Sequence, residues 1–169
     1  MNFFIVNFGV VDASTREIPL WFYRLAQSKN DRLLNKLSNA IYRNILIKVR
    51  PCLVKLRGKR SWISKKRFEK YFDFLVDRLL KETNARIISL PINLANNRVE
   101  KALPGSLKKH KEYNKIIREK TLQRKQNFVD LSFLNSEEHY PDGVHFSAAG
   151  HKLAADEIFK VIKEKVNNE

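Results

Sequence analysis

The sequence predicts an α/β fold built on a parallel sheet. Three observations point there: short, nearly continuous apolar runs closed by Gly or Pro, longer stretches with apolar residues at i, i+3, i+4 and i+7, and alternation of the two along the chain. No internal repeat or low-complexity linker interrupts the 169 residues, so 1–169 read as a single domain.

Phe3–Phe8 is the first predicted strand, apolar enough to be buried on both faces of a parallel sheet. Gly9 ends it, and Asp12, Ser14 and Pro19 mark a loop. A helix is expected from Asp31 to Arg50, because Leu33, Leu34, Leu37, Ile41, Ile45 and Val49 share one stripe and Pro51 offers a stop. Ser64 reads as the N-cap of the clearest helix, in which Phe68, Tyr71, Phe72, Leu75, Val76, Leu79 and Leu80 keep helical spacing up to a stop at Asn84.

Ala85–Leu90 is the second strand, closed by Pro91. A helix from about Leu107 to Leu122 buries Tyr113, Ile116 and Ile117, and Asn127–Leu131 is the third strand. A polar turn, Ser136 to Gly143, leads to a last helix capped by Ser147, with Leu153, Ala154, Ile158, Val161 and Ile162 inward.

Composition narrows the function. Apolar residues are 43% and aromatics 11%, which excludes a disordered tail. The single cysteine, Cys52, excludes a disulfide within the chain and a Cys-only zinc site. Phe3–Phe8 lacks the basic start of a secretory leader, and no window approaches the roughly 18–20 apolar residues of a bilayer span, so a soluble, cytoplasmic protein is expected.

The formal charge is +15, from 33 Lys+Arg against 18 Asp+Glu. Much of it lies between Arg43 and Lys70, where eleven basic residues meet one acid, Glu69, interleaved with Ile45, Leu46, Ile47, Val49, Leu53, Val54 and Leu56. Residues 31–82 therefore read as a basic helical insertion. Such a stretch suits a solvated face, an anionic membrane surface, or an anionic glycan or lipid head group. A nucleic-acid-binding module shares the charge, but there is no zinc-finger spacing and no RNP-like aromatic strand. Phe68, Tyr71, Phe72 and Phe74 are better used as a helix core, so nucleic acid is not an expected partner.

The chemistry-bearing stretch is Pro141-Asp142-Gly143-Val144-His145-Phe146-Ser147-Ala148-Ala149-Gly150-His151. An Asp three residues before a His, on a loop after the last strand, can accept from the imidazole Nδ1–H and leave Nε2 as a general base. Asp-Gly supplies the tight turn. His139, Asp142, His145 and His151 crowd together, but their spacing matches no hydrolytic zinc signature, and His139 and His151 are expected to face solvent. No metal or other cofactor is expected.

This D-G-x-H-x-S-x-x-G-H run resembles the last sequence block of the SGNH (GDSL-like) hydrolase family. Phe4-Ile5-Val6-Asn7-Phe8-Gly9-Val10-Val11-Asp12 is similar to the family's third block, a strand running into G-x-N-D, and Tyr113-Asn114 to a recurrent Y-N. The G-[IV]-V-D start with a basic helical insertion looks like a bacterial subgroup linked to surface-polysaccharide gene clusters. The resemblance implies a three-layer, doubly wound, flavodoxin-like sheet and ester hydrolysis or acyl transfer on an acylated carbohydrate. His145 would be the base, Asp142 its orienting partner, and Gly9 and Asp12 would border the site.

The chain departs from that pattern twice. No G-D-S nucleophile motif occurs, and the family places it on a strand preceding the one matched by Phe3–Phe8; Gly105-Ser106-Leu107 lies at the wrong point in the order. Val11 stands where the family has its oxyanion Asn and has no side-chain donor; losing one such donor costs about 10² to 10³ in rate. The resemblance thus implies a domain lacking its first strands, inactive as this chain. Phe3–Phe8 would then be an uncovered, aggregation-prone edge.

Overall fold

The computed structural model describes residues 2–28 and 32–167. Three parallel strands, β1 (Phe3–Val6), β2 (Arg86–Ser89) and β3 (Asn127–Phe128), form one sheet in the order β1-β2-β3. Phe3 pairs with Arg86 and Val6 with Ser89; Ile88 pairs with Asn127 and Ser89 with Phe128. Val129 prolongs the second ladder, its N–H donating to Ser89 O at 3.1 Å.

The helices are α1 (Val10–Ala13), α2 (Leu20–Ala26), α3 (Leu33–Ile41), α4 (Arg50–Leu56) and α5 (Lys65–Glu82) before β2. Between β2 and β3 lie α6 (Asn97–Ala102) and α7 (Ser106–Gln123), and after β3 come α8 (Ser136–His139) and α9 (Ala148–Asn167). The protein is α/β, mostly helical around a small parallel sheet.

Successive side chains of a strand point to opposite faces. β2 shows this directly. Ile87 joins Phe68, Phe72 and Val76 of α5 and Tyr113, Ile116 and Ile117 of α7 on one face; Ile88 joins Leu90, Val129, Leu131 and Ala154 of α9 on the other. Each fully buried side chain of this size contributes about 1.5–3 kcal/mol. The Ser64 hydroxyl caps α5 by accepting from Arg67 N at 3.3 Å, and Tyr113 of α7 donates its hydroxyl proton to Ile63 O beside that cap. On the outer side Lys120 of α7 and Arg124, just past its end, pair with Glu69, Asp73 and Asp77 of α5 at 2.6–3.1 Å.

The insertion and the connecting loops depart from the sequence reading, and β1 meets one of its two expectations. It is not buried on both faces: among the described residues it pairs only with β2, and Phe4 and Ile5 stay 41% and 52% exposed, as on an uncovered edge. The loop expected after Gly9 contains α1 and α2, and the polar turn expected at 136–143 opens with α8.

The helix expected from Asp31 to Arg50 is broken up; Asp31 itself lies outside the described residues. α3 ends at Ile41, one turn of π-helix follows over Tyr42–Leu46, and α4 starts at Arg50. Pro51 sits in the first turn of α4, where its missing N–H costs nothing, so it opens a helix instead of stopping one. Within 31–82, the π turn packs through Tyr42 with Ile18, Ala26, Phe22 and Tyr23, α3 lies on α2 and α4 touches α6, whereas α5 packs on the sheet.

The α2–α4 module is pinched shut at its base. Thr15 and Ser61 form an antiparallel bridge, Arg16 N donates to Arg60 O at 2.9 Å, and the Ser61 hydroxyl donates to Ala13 O at 2.6 Å. Arg57 reaches Arg16 O and the Trp62 indole N–H reaches Ile18 O, both at 2.8 Å. No helix among the described residues is long and apolar enough to cross a membrane.

Candidate functional site

All three strands run the same way, so their carboxyl ends open on one edge, where α/β sheets place their ligands. The loop between α8 and α9 closes that edge after β3. Gly143 is its pivot: φ is +79°, and a Cβ there would lie 2.2 Å from Val99 Cγ2 and 2.7 Å from Asn96 Oδ1. Only glycine meets both conditions.

The turn folds Asp142 back on His145. One carboxylate oxygen, Oδ1, accepts from the backbone N–H of Val144 and of His145, each at 2.8 Å. The other, Oδ2, accepts from His145 Nδ1 at 2.7 Å. The His145 side-chain bond, and then the two backbone N–H groups, hold the Asp142 carboxyl down to about 2 against an ordinary 3.8. Above that pH the group is a fixed anion, and it assigns the Nδ1–H tautomer to a neutral His145. Nε2 then carries the free lone pair. The imidazole is 81% exposed, and no hydroxyl among the described residues bonds to its Nε2.

The rest of the motif builds the frame. Ser147 Oγ accepts from Gly150 N at 3.1 Å at the start of α9, and Ser147 N donates to His139 O at 2.7 Å. A Cβ on Gly150 would lie 2.4 Å from that same His139 oxygen, so glycine lets α9 close on α8. His151 is exposed and sets its ring edge-on to Phe146 at 5.3 Å. His139, expected to face solvent, has a side chain only 12% exposed, because Nδ1 accepts from Asn135 N at 2.8 Å inside the α8 turn. Among the described residues no three His, Cys, Asp or Glu side chains converge on a point fit for a metal ion.

Asn93 and Asn96, on the segment after β2, anchor the loop. Asn96 Nδ2 donates to Tyr140 O and Pro141 O at 3.3 Å, and its Oδ1 caps α6. Asn93 Nδ2 donates to Val144 O at 2.8 Å. Asn114 holds the same segment from α7: Oδ1 accepts from Ile92 N at 2.6 Å and Nδ2 donates to Ile92 O at 2.8 Å.

Gly9 and Asp12 lie at the carboxyl end of β1, on the turn into α1 and on α1 itself. Gly9 has φ +108°, and a Cβ would lie 2.8 Å from the Phe68 ring. Burial raises the Asp12 carboxyl, opposed in part by Arg16. No hydrogen bond or ion pair among the described residues links Gly9 or Asp12 to Asp142 or His145. Val11 is exposed, and its carbonyl accepts from Arg16.

A second histidine was not singled out by the sequence. His110 of α7 is fully buried; Nδ1 lies 2.7 Å from Asn93 O and Nε2 2.9 Å from Ser14 Oγ. A carbonyl only accepts, so Nδ1 carries the proton. Burial lowers the His110 pKa, which favours the neutral ring and makes Nε2 an acceptor for the Ser14 hydroxyl. That hydroxyl also faces Val10 O at 2.6 Å, and its single proton serves one acceptor at a time. Ser14 is 5% exposed, so this Ser–His contact has no open approach for a substrate. The available signal was spacing: His110 stands three residues before Tyr113 on the buried stripe of α7.

A pocket of about 440 Å³ opens beside the anchored segment, between α7 and the chain after β3. Ile92, Leu94, Phe128 and Leu131 form its walls, with Lys111 and Arg118 on its α7 side; Asp142 and His145 are not among its lining residues. Comparison of this chain with protein-family models, with curated proteins and with solved structures returned no match.

Proposed function

We propose that this chain carries the acid–base arm of an ester hydrolase or acyl transferase of SGNH type, acting on an acylated carbohydrate. The observation behind this reading is the 2.7 Å bond from His145 Nδ1 to an Asp142 carboxylate that stays ionised down to about pH 2. It leaves a fixed, solvent-facing Nε2 at the carboxyl edge of a parallel sheet. In such a site Nε2 takes the proton of an alcohol as its oxygen attacks the ester carbonyl, then returns it to the departing alkoxide. Asp142 stabilises the imidazolium formed between those steps.

The alcohol is the part not found beside His145, and it would come from a segment outside this sequence. The carbohydrate substrate and the three-layer doubly wound arrangement rest on the motif resemblance. Helices on both sheet faces and the free outer edge of β1 are compatible with that arrangement.

The test uses a serine-directed phosphonate and acetylated oligosaccharides. The chain as it stands is expected to take no label and release no acetate. A version extended at the N-terminus by a strand and a Gly-Asp-Ser turn is expected to gain both, with acetate release abolished by His145→Ala. Labelling of Ser14 or Ser106 in the unextended chain, or turnover indifferent to His145→Ala, contradicts the reading.

A further inference from the structure

Helix α3 is inside out. On a helix at a protein surface the apolar stripe faces the core and the polar side faces water. Here Asn35 and Ser38 are 5% and 4% exposed, while Leu33, Leu34 and Leu37 are 82%, 61% and 55% exposed. One polar contact ties the helix to α2, Asn39 Nδ2 donating to Ala26 O at 2.7 Å, while Ser38 Oγ is satisfied within the helix by donating to Leu34 O at 2.6 Å. The exposed apolar series continues through Ile45, Ile47 and Val49 to Leu56. The sequence stripe is real, but it points away from the protein.

The charge around these residues has one sign. Between positions 32 and 68 the chain holds twelve Lys and Arg and no Asp or Glu. Arg50 is used internally, pairing with the buried Glu17 at 3.1 Å. Arg43, Lys48 and Lys55 are exposed and alternate in sequence with the exposed apolar residues, and no ion pair or hydrogen bond is formed by their side chains among the described residues.

From this juxtaposition we infer that the α3–α4 face is a docking surface for an anionic lipid bilayer. Exposed leucines flanked by lysine and arginine suit the boundary between acyl chains and acidic head groups. The charge decides against the other occupants. A second copy would set two surfaces of the same sign against each other. A nucleic-acid backbone would answer the cations and leave the leucines in water. The inference is independent of the Asp142–His145 chemistry.

The test is co-sedimentation of the full chain with sucrose-loaded vesicles of phosphatidylcholine alone or with phosphatidylglycerol. Binding is expected to the phosphatidylglycerol vesicles only and to weaken with salt. The triple variant Leu33→Gln, Leu34→Gln, Leu37→Gln is expected to lose at least about tenfold in partitioning. Its melting temperature should be retained, since these side chains pack on little. Lys48→Gln with Lys55→Gln is expected to weaken binding without touching the leucines. Failure to bind the acidic vesicles, or equal binding by the leucine variant, overturns the inference. So does a dimer, or a duplex-DNA complex, that forms in the parent chain and is lost in the leucine variant.

Discussion

Asn93 donates its side-chain N–H to Val144 O at 2.8 Å while its own backbone oxygen accepts from His110 Nδ1 at 2.7 Å. One residue therefore ties the exposed Asp142–His145 loop to the buried Ser14–His110 contact. Replacing it by alanine removes the outer bond and keeps the inner one. Asn93→Ala is expected to cost about 1 kcal/mol. Urea denaturation gives the energy, and the His145 imidazole NMR signals should broaden while those of His110 stay sharp.

Gly143 should tolerate nothing larger. Gly143→Ala puts a methyl group into Val99 and Asn96 in a left-handed backbone, and about 2 kcal/mol or more is expected to be lost. Because the strain falls on the turn itself, the Asp142–His145 bond should open with it. Calorimetry and the Nδ1 proton resonance of His145 check the two halves of this statement.

Two acid limbs of stability are expected. Burial holds the His110 pKa below its ordinary 6.5, so below that pH the unfolded chain binds the proton first and stability falls. Asp142 works lower down. Its folded value of about 2 lies under the ordinary 3.8, so its contribution is complete above about pH 4 and is lost as pH falls toward 2. Denaturation midpoints measured from pH 7 to 2 should show both limbs. His110→Gln is expected to flatten the upper limb and Asp142→Asn the lower, and an unchanged profile in either variant contradicts its assignment.

Among the described residues β1 presents an unpaired strand edge, with Phe4 and Ile5 exposed. Edges of this kind recruit other strands. Light scattering after gel filtration is expected to show concentration-dependent self-association of the isolated chain, reduced by Ile5→Lys and unaffected by the leucine substitutions in α3. A monodisperse monomer at high concentration speaks against an open edge.

Sequence periodicity located most of the frame. Ser64 and the spacing of Phe68, Phe72 and Val76 gave α5 and its cap, and the Asp-Gly turn gave the fold-back of Asp142 on His145, because both are decided within a few residues. What escaped was decided at long range. A stripe at 33, 34 and 37 specifies a helix but not which way its apolar side turns; the packing on α2, with the Asn39 bond to Ala26 O, decides that. Pro51 fits a helix start as well as a stop, and the preceding π turn settles which. The β1 run of apolar residues reads as interior by its composition, and only the motif resemblance pointed to an open edge. His110 is bonded to Asn93 and Ser14, 17 and 96 positions away, so local spacing marks it as buried but not what it bonds to.

The Thr15–Ser61 bridge brings the two ends of the α2–α4 module to one spot, and α4 also touches α6. Such a pendant can be clipped off and replaced with a short loop, or transplanted to another scaffold at any tight turn. The sheet with its flanking helices and the α2–α4 module are thus parts whose chain crossings lie together, so the module can change length without moving a strand.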